Sequence, residues 1–193
     1  MTIGLVVIKN NQAVIAADTR CVSGRIICEN HEKIQKLSEN VYACLSGYDI
    51  LSHALNDYNN ENDFSTFVGK SEYLLRKYFY GFKEFVINNK IINYSPEDGE
   101  TYSSCGFSGL LISPFGCYLV FSDFVIQKFN KFKAIGSGTE FATGAISILY
   151  NQELSAKEIA KRTVVIPADF LTNCNKEYTI YSVTMENNND NNN

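Results

Sequence analysis

The chain has 193 residues, of which 45% are hydrophobic, and a formal net charge of −4. A chain of this length buries roughly 70% of the surface that it exposes when unfolded, which is enough for one sizeable core and favours a single domain. Lysine and arginine are spread along the chain without a basic cluster, so the charge pattern gives no support for nucleic-acid binding. We therefore expect no nucleic-acid partner.

The cysteines and histidines indicate an intracellular protein without a metal site. The six cysteines form no Cys-x-x-Cys pair and no secretory signal precedes them, so we predict reduced thiols and a cytoplasmic location. The apolar stretch from Ile3 to Ile8 is far shorter than the roughly 20 residues that a membrane span needs. Because His31 and His53 are the only histidines, we expect no metal ion and no cofactor.

The opening of the chain has the pattern of β-strands. Apolar runs from Thr2 to Lys9 and from Ala13 to Asp18 flank a polar turn, which predicts a hairpin. A second strand pair is predicted from Gly24 to Cys28 toward Lys33. A further strand is predicted from Asn40 to Leu45.

Helical spacing of apolar residues follows. It predicts one helix from Asp49 to about Asn60 and a second from about Asp63 to Asn89, with Asp63 as N-cap. We expect the aromatic stripe of the second helix to pack in the core. A loop is predicted over residues 95–99.

The second half of the chain repeats the order of strands and then helices. Ser155 and Glu158 form the pattern of a capping box, in which each side chain binds the backbone of the other residue. The predicted elements are strands at Ser108 to Ser113, Gly116 to Ser122 and Phe124 to Ala134, helices from about Thr139 to Asn151 and from Ser155 to about Thr163, and a strand at Tyr178 to Met185.

The element order predicts the fold class and the domain division. Runs of strands separated by paired helices favour α+β packing over a doubly wound sheet. We expect two antiparallel sheets with helices on both outer faces, in one domain over residues 1–185. The Asn-rich segment 186–193 is polar and of low complexity, and is predicted to be disordered.

Thr2 is the first candidate for chemistry. Methionine aminopeptidases act when the second residue is small, so removal of Met1 would give Thr2 a hydroxyl nucleophile and a free α-amine. A threonine hydroxyl needs a base, and an α-amine with a pKa of about 7.7 to 8.0 is a better base at neutral pH than a lysine at about 10.4.

Three further residues fit the same chemistry. A charged Lys33 near Thr2 would favour the neutral amine and lower the pKa of the hydroxyl, and Asp18 would hold Lys33 charged and oriented. Gly47 follows an apolar strand, where its backbone amide is a candidate oxyanion donor. A plain strand-to-helix turn is the alternative interpretation of Gly47.

The order of these residues resembles that of the proteasome β-type subunits and the bacterial heat-shock-locus V peptidases, which are amino-terminal-nucleophile hydrolases. The resemblance covers Thr2 to Met185. The matching motifs are Thr2 itself, Asp18 in AADTR, Lys33 in EKIQKL, Leu45-Ser46-Gly47, the sequence AIGSG at Ala134 to Gly138, and SAKEIA at Ser155 to Ala160.

The resemblance implies a four-layer αββα sandwich and a threonine-type endopeptidase that assembles into a self-compartmentalised homo-oligomeric ring. Unfolded proteins or peptides would be its substrates, and a separate ATP-dependent unfoldase is a further partner that the resemblance leaves open. It implies the roles already given for Thr2, Asp18, Lys33 and Gly47. It adds a hydrogen-bonded network of Ser137, Asp169 and Thr172, and a substrate pocket lined by Cys21, His31, Leu45 and Asp49.

Two departures from the family pattern affect the site. The segment between Asp18 and Lys33 is one residue shorter than usual, which leaves Lys36 as an alternative to Lys33. Thr172 stands where serine is more frequent, and Asn173 follows it in place of glycine.

Two other functions stay open on the sequence alone. The same fold supports a small-molecule amidase, because a fold does not fix its substrate. An inactive structural subunit of a mixed ring is the third interpretation, although an architectural subunit has no chemical need for Thr2, Asp18 and Lys33 together.

Overall fold

A computed structural model describes residues 3–23, 25–47, 49–62, 64, 72–91 and 106–186. The chain is α+β. Its strands are β1 (Ile3–Lys9), β2 (Gln12–Asp18), β3 (Cys21–Ser23), β4 (Ile26–Cys28), β5 (Ile34–Ser38), β6 (Val41–Ser46), β7 (Ser108–Ser113), β8 (Gly116–Val120), β9 (Ile126–Phe129), β10 (Phe132–Gly136) and β11 (Tyr178–Thr184). Its helices are α1 (Asp49–Glu61), α2 (Glu72–Asn88), α3 (Thr139–Leu149), α4 (Ala156–Val164) and the 3-10 helix Ile166–Asp169.

The predicted first hairpin is confirmed, and it forms the centre of a four-stranded antiparallel sheet with the order β10-β1-β2-β11. Asn10 and Asn11 make its two-residue turn with φ values of 50° and 60°. Asparagine tolerates this left-handed region, which matches the twist of a tight hairpin.

Both faces of β1 are buried, which explains its unbroken apolar sequence. Leu5 and Val7 contact the cluster that includes Ile146 of α3 and Ile159 of α4, whereas Val6 and Ile8 contact residues of a second sheet. That sheet has five antiparallel strands in the order β5-β6-β7-β8-β9.

Helices α1 and α2 pack on the five-stranded sheet. The predicted aromatic stripe of α2 is confirmed as core, since Tyr78, Phe79 and Phe82 are almost fully buried against Tyr58 of α1 and Phe124. The predicted start of α2 at Asp63 lies outside the described residues, as does the predicted loop at 95–99.

The prediction of one continuous strand from Phe124 to Ala134 is wrong. The chain forms β9 at Ile126–Phe129, which pairs with β8, and β10 at Phe132–Gly136, which pairs with β1 of the other sheet. The chain leaves one sheet and enters the other at Asn130 and Lys131. The preceding strand also ends at Val120 rather than Ser122, because Phe121 bonds to Val125 across a turn in which Phe124 has a φ of 69°.

The capping box at α4 is confirmed. Ser155 Oγ accepts from the Glu158 backbone over 3.2 Å, and Glu158 Oε2 accepts from the Ser155 backbone over 2.9 Å. At the other end of the chain, the Glu186 backbone N–H donates to the Pro114 carbonyl, while residues 187–193 lie outside the described part. Among the described residues, no helix has the length and hydropathy of a membrane span.

Candidate active site

A buried ion pair lies at one end of the four-stranded sheet. Asp18 ends β2 with no exposed surface, and Lys33, just before β5, is 6% exposed. Lys33 Nζ donates to Asp18 Oδ1 over 2.7 Å and also to the backbone carbonyl of Arg20. The two charges compensate each other's loss of hydration, which either charge alone would bear in full.

Two backbone N–H groups also donate to the Asp18 carboxylate. The Ile3 N–H donates to Oδ1 over 3.0 Å, and the Arg20 N–H donates to Oδ2 over 3.2 Å. Strand pairing sets this arrangement, because Gly4 of β1 lies opposite Ala17 of β2. The start of β1 is therefore bound to the ion pair, while Thr2 lies outside the described residues.

Lys33, and not the alternative Lys36, is the lysine that meets Asp18. Lys36 lies within β5 opposite Tyr42, and its side chain is exposed. The shorter segment between Asp18 and Lys33 is accommodated by the two-stranded hairpin of β3 and β4.

Gly47 lies between β6 and α1 at a position that only glycine fits. Its φ is 134°, a region that side chains rarely adopt. A Cβ added there would approach the Gly106 carbonyl oxygen to 2.5 Å and the Phe107 Cα to 2.9 Å. A side chain at this position would thus clash with the backbone that leads into β7.

Three of the four predicted pocket residues lie together. His31 Nε2 lies 3.0 Å from Asp49 Oδ1, and the Cys21 Sγ contacts Asp49 Oδ2 at 4.0 Å. Leu45 belongs to the core cluster that α1 and α2 cover.

Ser137, Asp169 and Thr172 lie on the segments after β10 and after α4. Ser137 acts on the nearby Cys174 thiol and lowers its pKa, Asp169 Oδ1 pairs with Lys176 Nζ over 2.6 Å at the surface, and the Thr172 carbonyl accepts from Arg20. The structure thus connects Thr172 to the loop that follows Asp18. The predicted network of Ser137, Asp169 and Thr172 around the Thr2 amine stays a prediction, because Thr2 lies outside the described residues.

Within the described residues, no group of three or more histidine, cysteine, aspartate or glutamate side chains could hold a metal ion.

Comparison with solved structures identifies the fold. The Thiobacillus denitrificans BPH in complex with epoxomicin is 22% identical and superposes with a TM-score of 0.81, covering 97% of this chain and 100% of that chain. A second Thiobacillus denitrificans BPH structure gives the same identity and TM-score over 96% and 99%. Eukaryotic HslV from Trypanosoma brucei is 17% identical with a TM-score of 0.73, over 94% and 99%.

The chain has the HslV fold. This confirms the resemblance to heat-shock-locus V peptidases at the level of the fold. No protein-family model matches the sequence, and no curated relative matches it.

Sequence reasoning missed Cys174 as a neighbour of the ion pair. Cys174 is buried, and desolvation raises the pKa of its thiol; the Asp18 charge raises it further, while Lys33 and the hydrogen bond with Ser137 act in the opposite direction. In this HslV fold the Cys174 thiol therefore belongs to the apolar cluster under α3 and α4, at a place where the charges of Asp18 and Lys33 still reach it. The sequence offered one signal for this placement, since Cys174 follows the predicted site residue Thr172 by only two positions.

A polar network around Arg20 was also missed. Arg20 donates through Nη2 to Glu29 Oε1 over 2.8 Å and through Nη1 to the Thr172 and Cys174 carbonyls. The buried Asn175 donates to Glu29 Oε2 over 2.7 Å. These hydrogen bonds connect the loop after the 3-10 helix to the hairpin that carries Cys21 and Cys28.

Proposed function

We propose that the chain is a threonine-type endopeptidase subunit of a self-compartmentalised ring protease, with Thr2 as amino-terminal nucleophile after Met1 is removed. One observation supports this most directly: Asp18 Oδ1 accepts from both Ile3 N–H and Lys33 Nζ. Ile3 is bonded to Thr2, and consecutive Cα atoms of a trans peptide are about 3.8 Å apart. Thr2 is therefore joined by a single peptide bond to a residue that the buried Asp18 carboxylate binds.

In the proposed reaction, the neutral Thr2 amine takes the proton of its own hydroxyl as the oxygen attacks the substrate carbonyl. The amine then gives this proton to the leaving amino group, so that the peptide bond breaks and an acyl ester with Thr2 remains. A water molecule hydrolyses the ester and restores the hydroxyl. The positive charge of Lys33 favours the neutral amine and the developing oxygen anion.

The remaining predicted residues have supporting roles in this proposal. The Gly47 amide would stabilise the carbonyl oxygen as it becomes negative. Ser137, Asp169 and Thr172 would orient the Thr2 amine. Cys21, His31, Leu45 and Asp49 would line the pocket for the residue before the cleaved bond, and the contacts among three of them support this.

The architecture behind this function is proposed as one domain over residues 1–185 with four αββα layers. Three separate apolar clusters support the layering: one under α1 and α2, one between the sheets, and one under α3 and α4. Exposed apolar side chains support assembly into a homo-oligomeric ring, among them Ile148, which is 71% exposed, and Phe170, which is 64% exposed and stacks on Phe141. We place the ring in the cytoplasm, with a separate ATP-dependent unfoldase as supplier of unfolded chains.

Epoxomicin provides the test, since the Thiobacillus denitrificans BPH binds it in a structure of the same fold. We expect the intact mass of this protein to increase by one epoxomicin per chain, and the Thr2→Ala variant to stay unlabelled. Lack of labelling in both proteins would favour the inactive structural subunit.

Size-exclusion chromatography with light scattering on the same sample distinguishes the ring endopeptidase from the small-molecule amidase. A ring that cleaves fluorogenic peptides and unfolded proteins fits the endopeptidase. A labelled monomer or dimer that cleaves only small amides would favour the amidase.

A further inference from the structure

Two cysteines lie directly opposite each other on the hairpin of β3 and β4. Cys21 pairs with Cys28 in the antiparallel register, and both thiols are reduced. Opposite residues of an antiparallel pair project from the same face with Cβ atoms about 4.5 to 5.5 Å apart. A disulfide needs about 3.5 to 4.5 Å, so an approach of about 1 Å is sufficient to join the two sulfurs.

The hairpin can accommodate this movement. Its two strands form a sheet of their own and belong to neither of the larger sheets, so a small approach of β3 to β4 leaves those ladders intact. Next to the cysteine pair, Arg20 and Glu29 form an ion pair of 2.8 Å that links the two strands of the hairpin. The cysteines are thereby kept opposite each other in the reduced protein.

Accessibility separates this pair from the other described thiols. Cys28 is exposed and Cys21 is partly exposed, whereas Cys44 and Cys117 are buried in the cluster between the two sheets. Burial raises the pKa of both buried thiols to about 12, which removes the thiolate that disulfide exchange requires. Cys174 is buried as well.

We propose that Cys21 and Cys28 are a redox-sensitive site that forms a reversible disulfide by exchange with a small oxidised thiol such as glutathione disulfide. One cysteine thiolate attacks the glutathione disulfide, forms a mixed disulfide and releases one glutathione. The second cysteine thiolate then displaces the other glutathione and closes the bond between the strands. Two cysteine thiols are oxidised, and one glutathione disulfide is reduced to two glutathione molecules.

The disulfide would act on the neighbouring polar groups. Cys21 Sγ contacts Asp49 Oδ2, and Asp49 in turn lies 3.0 Å from His31. Formation of the bond draws Cys21 toward Cys28 and replaces the thiol that faces the Asp49 carboxylate. The inference does not rest on the proposed function, because the strand register alone defines the pair.

The test uses the full chain in a Cys105→Ser background, since Cys105 lies outside the described residues. The native protein is equilibrated in glutathione buffers of increasing oxidation, free thiols are alkylated, and the digest is mapped by mass spectrometry. We expect a peptide pair linked through Cys21 and Cys28, which reduction with dithiothreitol separates. Cys44 and Cys117 serve as internal controls, and both should stay reduced and unalkylated until the protein is unfolded.

The matched variant is Cys28→Ser, which should lose the linked peptide and leave Cys21 with a single glutathione adduct. Wild-type protein is mapped in parallel, so the result does not depend on the folding of any variant. Glutathione adducts on Cys21 and Cys28 without a linked peptide would overturn the proposal. A linkage that forms only in denaturant, or only between Cys105 and one of the two in the wild-type protein, would overturn it as well.

Discussion

Ile3 donates its backbone N–H to Asp18 Oδ1 over 3.0 Å, on the same oxygen that receives Lys33 Nζ over 2.7 Å. One buried oxygen thus joins the start of β1, the end of β2 and the residue before β5. These segments are distant in sequence, so the arrangement exists only when the sheet is formed. Stability and the candidate chemistry should therefore respond together to changes at this point.

Replacement of Lys33 tests that connection. Lys33→Met keeps most of the side-chain volume but leaves the buried Asp18 carboxylate without its counter-charge. We expect the free energy of unfolding to fall by about 3 to 5 kcal/mol, and peptide hydrolysis to be lost. Guanidinium unfolding and a fluorogenic peptide assay measure the two effects.

Lys36→Met is the matched control, because Lys36 is exposed and only three positions further along the chain. Its effect on stability should stay within about 0.5 kcal/mol, with hydrolysis unchanged. The double variant Asp18→Asn with Lys33→Met removes both charges and should recover part of the lost stability without recovering hydrolysis. Similar losses in the Lys33 and Lys36 variants would contradict the assignment of the ion pair.

A second prediction compares two glycines. In Gly47→Ala, the new Cβ would meet the Gly106 carbonyl oxygen at 2.5 Å, and the backbone would keep a φ of 134°. We expect a loss of stability above about 1 kcal/mol from backbone strain alone. Gly144→Ala is the matched control, because Gly144 lies in α3 with nothing within 4 Å of the added Cβ.

Gly144→Ala should stabilise the protein by about 0.5 to 1 kcal/mol, since glycine is unfavourable inside a helix. Thermal unfolding of both variants measures the contrast. If Gly47→Ala were as well tolerated as Gly144→Ala, the description of the turn after β6 would be wrong.

A third prediction concerns the stability of the fold at acidic pH. The hydrogen bond from Arg20 is the main reason why the pKa of Glu29 lies below its ordinary value. A carboxyl group with a lowered pKa in the folded state stabilises the protein above its ordinary pKa, and this contribution is lost as the pH falls through the lower folded value. Glu29→Gln should therefore lose less stability over that acid interval than the wild type.

Chemical unfolding across this interval, at low and high salt, measures the effect. The difference should be small and should decrease with salt, because both side chains are partly exposed. Equal acid sensitivity of the two proteins at low salt would show that the Arg20–Glu29 pair contributes nothing to the pH dependence.

Elements with local signals were predictable from the sequence. The Asn10-Asn11 turn between two apolar runs specifies the first hairpin, and the Ser155 and Glu158 pattern specifies the start of α4. The pattern of apolar residues could not divide the Phe124 to Ala134 segment, because polar residues recur along all of it, at Gln127, Lys128, Asn130, Lys131 and Lys133. The change of sheet at Asn130 and Lys131 therefore has no distinct local signal.

In the candidate site, too, only residues with a local sequence signal could be predicted. Asp18 and Lys33 were recognised because a motif surrounds each of them. Arg20 and Cys174 were not, since their roles depend on contacts across more than a hundred residues of sequence, such as the Arg20 bond to the Cys174 carbonyl. Such contacts follow from the packing of the loop after the 3-10 helix and leave no local pattern.

The central proposal is that Thr2 is the nucleophile of a peptide hydrolase and that the buried pair of Asp18 and Lys33 tunes its reactivity. The most direct measurement is the fluorogenic peptide hydrolysis rate of the wild type and of Thr2→Ala, with oligomer size and amino-terminal mass determined on the same samples. We predict that the wild type lacks Met1 and cleaves peptides, while Thr2→Ala assembles to the same size and is inactive. Equal hydrolysis by the two proteins, or an active wild type that retains Met1, would contradict the claim.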